Sequence, residues 1–242
     1  MEVHHHPEAE RKRFKEYFFE FLMIFLAVLL GFFSENIREH QVENSRAREL
    51  AYSLIKDFQS DTSKLNWILN MRNDALTDNN LLLLELRKKP TELDTGRIQV
   101  LAESVSRPWY YLQNSGTYEQ VKNSGSLRYF SFAISKSLTT YEQNNKQIEF
   151  AQSLEKDYFN GTISPFLFKE LNTRYIEAKK RKDIYNGTHD FKRKDPFIVE
   201  DLYSIASYTK SQSTVIIYLL GLQRDDAVKN MALLRKEYDI HE

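Results

Sequence analysis

The sequence predicts an all-α protein, in which an N-terminal transmembrane helix continues into an extramembrane helical bundle. Three observations carry that expectation. An apolar run lies near the N-terminus, only 7 Gly and 5 Pro occur in 242 residues, and apolar residues elsewhere recur at three- and four-residue spacing. Gly and Pro are the usual helix breakers, so their scarcity leaves room for long helices. No stretch alternates polar and apolar residues as a half-buried strand does.

Composition narrows the function classes. Hydrophobic residues make up 41% and charged residues 28%, the balance of a folded chain. The formal net charge is zero, which argues against a nucleic-acid partner. There is no cysteine, so disulfides, Cys-ligated zinc, iron–sulfur clusters and thiol nucleophiles are excluded.

Between Phe21 and Phe33 no charged or strongly polar side chain occurs. A bilayer core needs about 20 helical residues. The expected anchor therefore takes in the flanks and covers residues 17–37, with Tyr17, Phe21, Phe25, Phe32 and Phe33 among its membrane-facing groups. A buried helix of a soluble protein would show a polar stripe, and this one has none. A cleaved signal peptide needs small residues at its cleavage site, whereas Leu30-Gly31-Phe32-Phe33 is mostly bulky. An uncleaved signal anchor is the reading that remains.

Arg11, Lys12, Arg13 and Lys15 precede the span, and Arg38 is the only Lys or Arg in the ten residues after the apolar run ending at Phe33; Arg46 and Arg48 narrow the asymmetry. The positive-inside rule then makes residues 1–16 a cytoplasmic tail and 38–242 an extracytoplasmic domain. The expected location is a bacterial inner membrane with the main domain in the periplasm. Glu20 falls one turn inside the near face. A charge there can mark a proton relay or an intersubunit pair, but snorkelling to the headgroups is the simpler reading.

After the anchor, Ala47, Ala51, Leu54, Phe58, Leu65 and Ile68 form a helical stripe, so the first helix is expected to run on to about residue 88. Thr77-Asp78-Asn79-Asn80 is a turn-like place where it could break. Residues 94–105 read as a short helix. Asn114-Ser115-Gly116-Thr117 and Asn123-Ser124-Gly125-Ser126 read as turns, each ending in a hydroxyl residue suited to capping the next helix. A second long helix is expected over 127–158, burying Phe130, Ile134, Leu138, Tyr141, Ile148 and Leu154, and stopping at Asn160-Gly161. Ser164-Pro165 and Asp195-Pro196 read as helix starts, the latter opening a third long helix over 197–238. Within it Val215 to Leu222 is too short for a membrane span and reads as a buried turn.

These residues also carry a resemblance. Tyr52-x-Leu54-x-x-Asp57-Phe58-x-x-Asp61 is followed by Thr117-Tyr118-Glu119-Gln120-Val121-x-x-Ser124-Gly125-x-Leu127 and a long helix with Leu138 and Tyr141. Over most of its length the chain resembles a widespread group of uncharacterised Bacteroidota single-pass membrane proteins with a helical domain of unknown function. The resemblance implies one anchor and one helical domain, and no activity.

Candidate chemistry is sparse. Asp57 and Asp61 share a helical face and could bind a metal or act as an acid/base pair, but no histidine lies near. They read better as surface charges, or as acceptors for the turn around Ser124 and Gly125. His4, His5 and His6 hold half of the six histidines, yet three consecutive residues do not easily reach one ion. Phosphate-binding glycine motifs and a nucleophile elbow are absent. Residues 169–194, with Lys179, Lys180, Arg181 and Lys182 at their centre, carry nine Lys or Arg against four acids. They read as a solvated face or as a dock for an acidic partner. Trp109, Tyr110 and Tyr111, beside Pro108, form either a binding lip or a core cap, and the cap is the commoner role of such aromatics.

The expectation for function is a membrane-anchored scaffold or accessory subunit acting through protein–protein contact, without enzymatic activity, cofactor or metal. Its partners would be the lipid bilayer and another protein or a second copy. A sensor-like domain holding a small ligand between helices is the alternative, and an enzyme with a site invisible in sequence the weakest. A scaffold should have a filled core and an exposed patch, and a sensor an enclosed pocket with convergent polar groups.

Overall fold

The computed structural model describes residues 14–193, 195 and 197–241. His4, His5 and His6 lie outside them. Among the described residues there is no strand, and long helices dominate. Helix α1 covers Phe14–Glu85, α2 Thr95–Val105, α3 Gly116–Asn123, α4 Phe132–Tyr158, α5 Ser164–Glu170, α6 Thr173–Arg181 and α7 Ile198–Tyr238.

The chain divides into two compact units, Met1–Glu49 and Leu50–Glu242. The first contains the one helical stretch among the described residues that is long and apolar enough to cross a membrane. Its best 18-residue window has a mean hydropathy of 2.1 and none of it is buried. Tyr17, Phe21, Phe25, Phe32 and Phe33 are all exposed on it. A helix apolar on every side and covered on none has no protein core of its own to face. Glu20 sits in this stretch, partly covered.

In the second unit, α1 and α4 run parallel. Asp61 meets Tyr141 and Arg72 meets Glu155, a nearly constant offset along the two helices. Helix α7 runs against both: its Ala227 and Leu234 pack with Ala51 to Phe58, and its Leu202 and Ala206 pack with Leu82 to Leu86. Parallel neighbours require a crossover, which here is the segment holding α2 and α3. The apolar core is filled in three clusters along the helices, centred on Phe58 and Leu138, on Leu65, Ile148 and Ile216, and on Leu82, Ile98 and Leu202.

Several expectations change. No break occurs at residues 77–80, because the polar side chains there have partners. Asn79 is buried and donates to the Ala206 carbonyl at 3.1 Å, and Asp78 accepts from Ser104 at 2.5 Å. Neither Thr117 nor Ser126 caps a helix. Gly125 takes a left-handed φ of 70° and leads into a short 3-10 turn, and α4 is capped instead by Ser131, which accepts from the Ile134 N–H. At Asn160-Gly161 the chain does not stop. A π-helical turn, Phe159–Ile163, carries it into α5, and Ser164 makes no capping bond. Leu154 is exposed, and so are Val215, Tyr218 and Leu222.

Candidate functional site

The polar centre of the second unit is built on Asp61. Its carboxylate is fully buried, accepting the Asn114 N–H at 2.9 Å and the Tyr141 hydroxyl at 3.0 Å. The Tyr141 and Tyr111 hydroxyls are 3.2 Å apart, and Lys64 donates to the Asn114 side chain at 2.7 Å. One turn earlier, Asp57 receives the Thr117 N–H at 3.4 Å. The two carboxylates therefore hold the first Asn-Ser-Gly turn, not the one around Ser124 and Gly125, and Asp61 is not a surface charge. Burial pushes the Asp61 carboxyl up, against its hydrogen bonds from Asn114 and the tyrosines. Burial also raises Tyr111 and Tyr141, with the Asp61 charge adding to it, so both phenols stay protonated donors. Each oxygen of Asp61 has a protein donor, as a structural carboxylate requires.

Arg72 forms a second buried tie. It donates two bonds to the Glu155 carboxylate, at 3.0 and 2.8 Å, and one to the Trp109 carbonyl at 2.9 Å. Trp109 is half-buried, edge-on to Trp67 at 5.2 Å, which makes it a core cap; Tyr110 lies at the surface beside it. Tyr111, the third residue of that aromatic run, is fully buried and bonded through its backbone to both ends of the Gln152 amide, so it belongs to the core and not to a lip. Gln152 is the partner that sequence reasoning left out, since nothing local marks a glutamine in mid-helix as buried.

Around these ties lie shallow cavities. The void next to Arg72, Glu155 and Thr209 is about 20 Å³, too small for a metabolite. A groove of about 300 Å³ runs between Glu103 and the apolar faces of α5 and α6, lined by Leu167, Phe168, Leu171, Ile176 and Glu177. Its two carboxylates have cationic partners already, Glu103 in Lys180 and Arg107, and Glu177 in Arg181. Another cavity, of about 360 Å³, lies between α1 and α2, beside Asp78 and Ser104. Among the described residues no group of three or more His, Asp or Glu side chains is arranged to hold a metal ion.

Much of the basic segment is paired inside the unit. Lys180 meets Glu103, Arg181 meets Glu177 at 3.1 Å, Arg193 meets Glu170, and Lys192 donates to the Phe168 carbonyl at 2.7 Å. Lys179 stays exposed, and Lys182 ends α6 with a left-handed φ of 59°. These charges tie α5, α6 and the following loop together.

The largest departure from the sequence reading is an apolar outer face on α4 and α7. The helices are antiparallel neighbours: Asn144 donates to Asp226 at 2.7 Å near one end, and the Tyr158 and Tyr208 rings lie 4.2 Å apart near the other. Between these pairs, Phe150 is 66% exposed, Leu154 43%, Val215 50%, Tyr218 66% and Leu222 39%. Ile216, Leu220 and Ala227 meanwhile face the core, so α7 carries two apolar faces. The signal was in the sequence: Tyr208, Val215, Tyr218 and Leu222 repeat out of phase with the core stripe. Comparison with family models, curated proteins and solved structures finds no match for this chain.

Proposed function

We propose that this chain is a membrane-anchored helical scaffold or accessory subunit, working by protein–protein contact in a bacterial envelope. The observation that carries the reading is the outer face of α4 and α7. Large apolar side chains stand exposed there above a core already filled by other residues. Contiguous apolar surface of this kind marks an interaction site. Residues 17–37 would hold the chain in the inner membrane, with the tail in the cytoplasm and the main domain in the periplasm. The likeness to single-anchor Bacteroidota membrane proteins agrees with that layout. No catalytic step, cofactor, metal or nucleic acid enters the reading.

The sensor alternative has two cavities in its favour, the groove beside α5 and α6 and the one between α1 and α2. Their volumes of about 300 and 360 Å³ sit at the lower edge of ligand pockets. Against it, the carboxylates of the groove and Asp78 of the other cavity are paired within the protein instead of converging on an interior. Purification of the full chain in mild detergent, followed by mass measurement, separates the two. The scaffold reading expects a protein partner in stoichiometric amount, whether foreign or a second copy. A lone chain carrying a small metabolite would replace it with the sensor.

A further inference from the structure

We infer that the outer face of α4 and α7 is closed by a second copy of this chain, forming a two-fold four-helix contact. This rests on the scaffold reading and names its partner. Three features of the face point to self-association.

The first is area. Five side chains with the exposures given above leave roughly 550 Å² of mostly apolar surface, taking about 200 Å² for a whole aromatic or leucine side chain. That is at the upper end of what a soluble monomer leaves open. A stable interface takes about 800 Å² from each partner, and the polar neighbours Gln147, Ser211 and Thr214 extend the face toward that value.

The second is geometry. Phe150 on α4 and Tyr218 on α7 lie level with each other, since the helices run antiparallel between the Asn144–Asp226 and Tyr158–Tyr208 pairs. A two-fold axis along the groove between them brings α4 of one copy against α7 of the other at the same level. Phe150 then meets Tyr218 of the second copy, twice over, and Leu154 meets Val215. Every neighbouring pair of helices in the resulting bundle is antiparallel. Such an axis also leaves the α4–α7 pairs of both copies pointing the same way along it.

The third is charge. Thr214 to Leu222 of α7 holds no charged residue, so the centre of the face sets no like charges against one another. Charges stand only toward its ends: Lys146 lies within a turn of the partner's Asp225 level, and Lys136 within a turn of the partner's Lys229 and Lys236 levels. Surfaces that must avoid self-association carry repulsive charge at their centre.

The natural absence of cysteine makes the test direct. Full chains carrying Phe150→Cys are mixed with differently tagged full chains carrying Tyr218→Cys in mild detergent and gently oxidised, and the unaltered chain is weighed in parallel. The inference expects twice the chain mass, and a disulfide joining the two kinds of chain but not two chains carrying Phe150→Cys. It also expects Phe150→Glu with Tyr218→Glu to halve the mass while helical circular dichroism is unchanged. A lone chain, or a dimer that neither cross-links there nor responds to the glutamates, overturns it. A lone copy bound through this face to a foreign protein overturns it too, but leaves the scaffold reading standing. A lone copy with no protein partner at all removes both.

Discussion

Asp61 joins α1 to two donors from elsewhere in the chain, the N–H of the half-buried Asn114 and the buried Tyr141 hydroxyl. Replacing Asp61 with Ala strands the buried Tyr141 hydroxyl, and a buried donor without a partner costs about 1–3 kcal/mol. Urea unfolding of Asp61→Ala should show a loss of that order. The pH response has an unusual sign. Because burial raises this carboxyl, the folded chain holds its proton where the unfolded chain, near the ordinary value of 3.8, has released it. The stability it adds is full below that value and falls as pH rises through the raised one. Asp61→Asn should flatten this part of the stability–pH curve, and an unchanged curve would put the dependence elsewhere. Arg72 offers a second case. Breaking a buried ion pair from one side costs about 3–5 kcal/mol, whereas replacing both partners by apolar groups costs much less. Arg72→Met should therefore lower stability more than Arg72→Met combined with Glu155→Met.

Among the elements, α2 and α7 are legible in the sequence because short-range chemistry marks their starts. Asp94 accepts the Arg97 N–H and Asp195 accepts the Phe197 N–H, both from residues close by. Less legible is what depends on distant partners. Asp57 and Asp61 are visible as two carboxylates on one face, but their backbone partners are Thr117 and Asn114, at the entry to α3, placed there by the burial of Tyr111 and its bonds to Gln152, and Asp61's other donor is Tyr141 of α4. The two apolar faces of α7 look alike in sequence, and only packing decides that Ile216 is covered and Tyr218 is not. Two glycines test the account of the turns. Gly125 has open space around a would-be Cβ but a φ of +70°, and Gly161 has open space without that constraint. A left-handed non-glycine residue costs about 1–2 kcal/mol, so Gly125→Ala should lower the melting temperature. Gly161→Ala, in the π-helical turn, should leave it unchanged or raise it, since Gly costs about 1 kcal/mol relative to Ala in a helix.

For the molecule as a whole, the apolar stretch proposed as an anchor and the first core-forming helix are one element, α1, from Phe14 to Glu85; the surface proposed for partner contact is the outer face of α4 and α7. On the proposed topology this surface lies across the bilayer from the N-terminal tail. Substituted-cysteine labelling tests it most directly, since the chain has no cysteine of its own. A membrane-impermeant maleimide applied to spheroplasts should label Lys182→Cys before lysis and Glu8→Cys only after it. Labelling of both only after lysis, or of Glu8→Cys alone beforehand, would contradict the account.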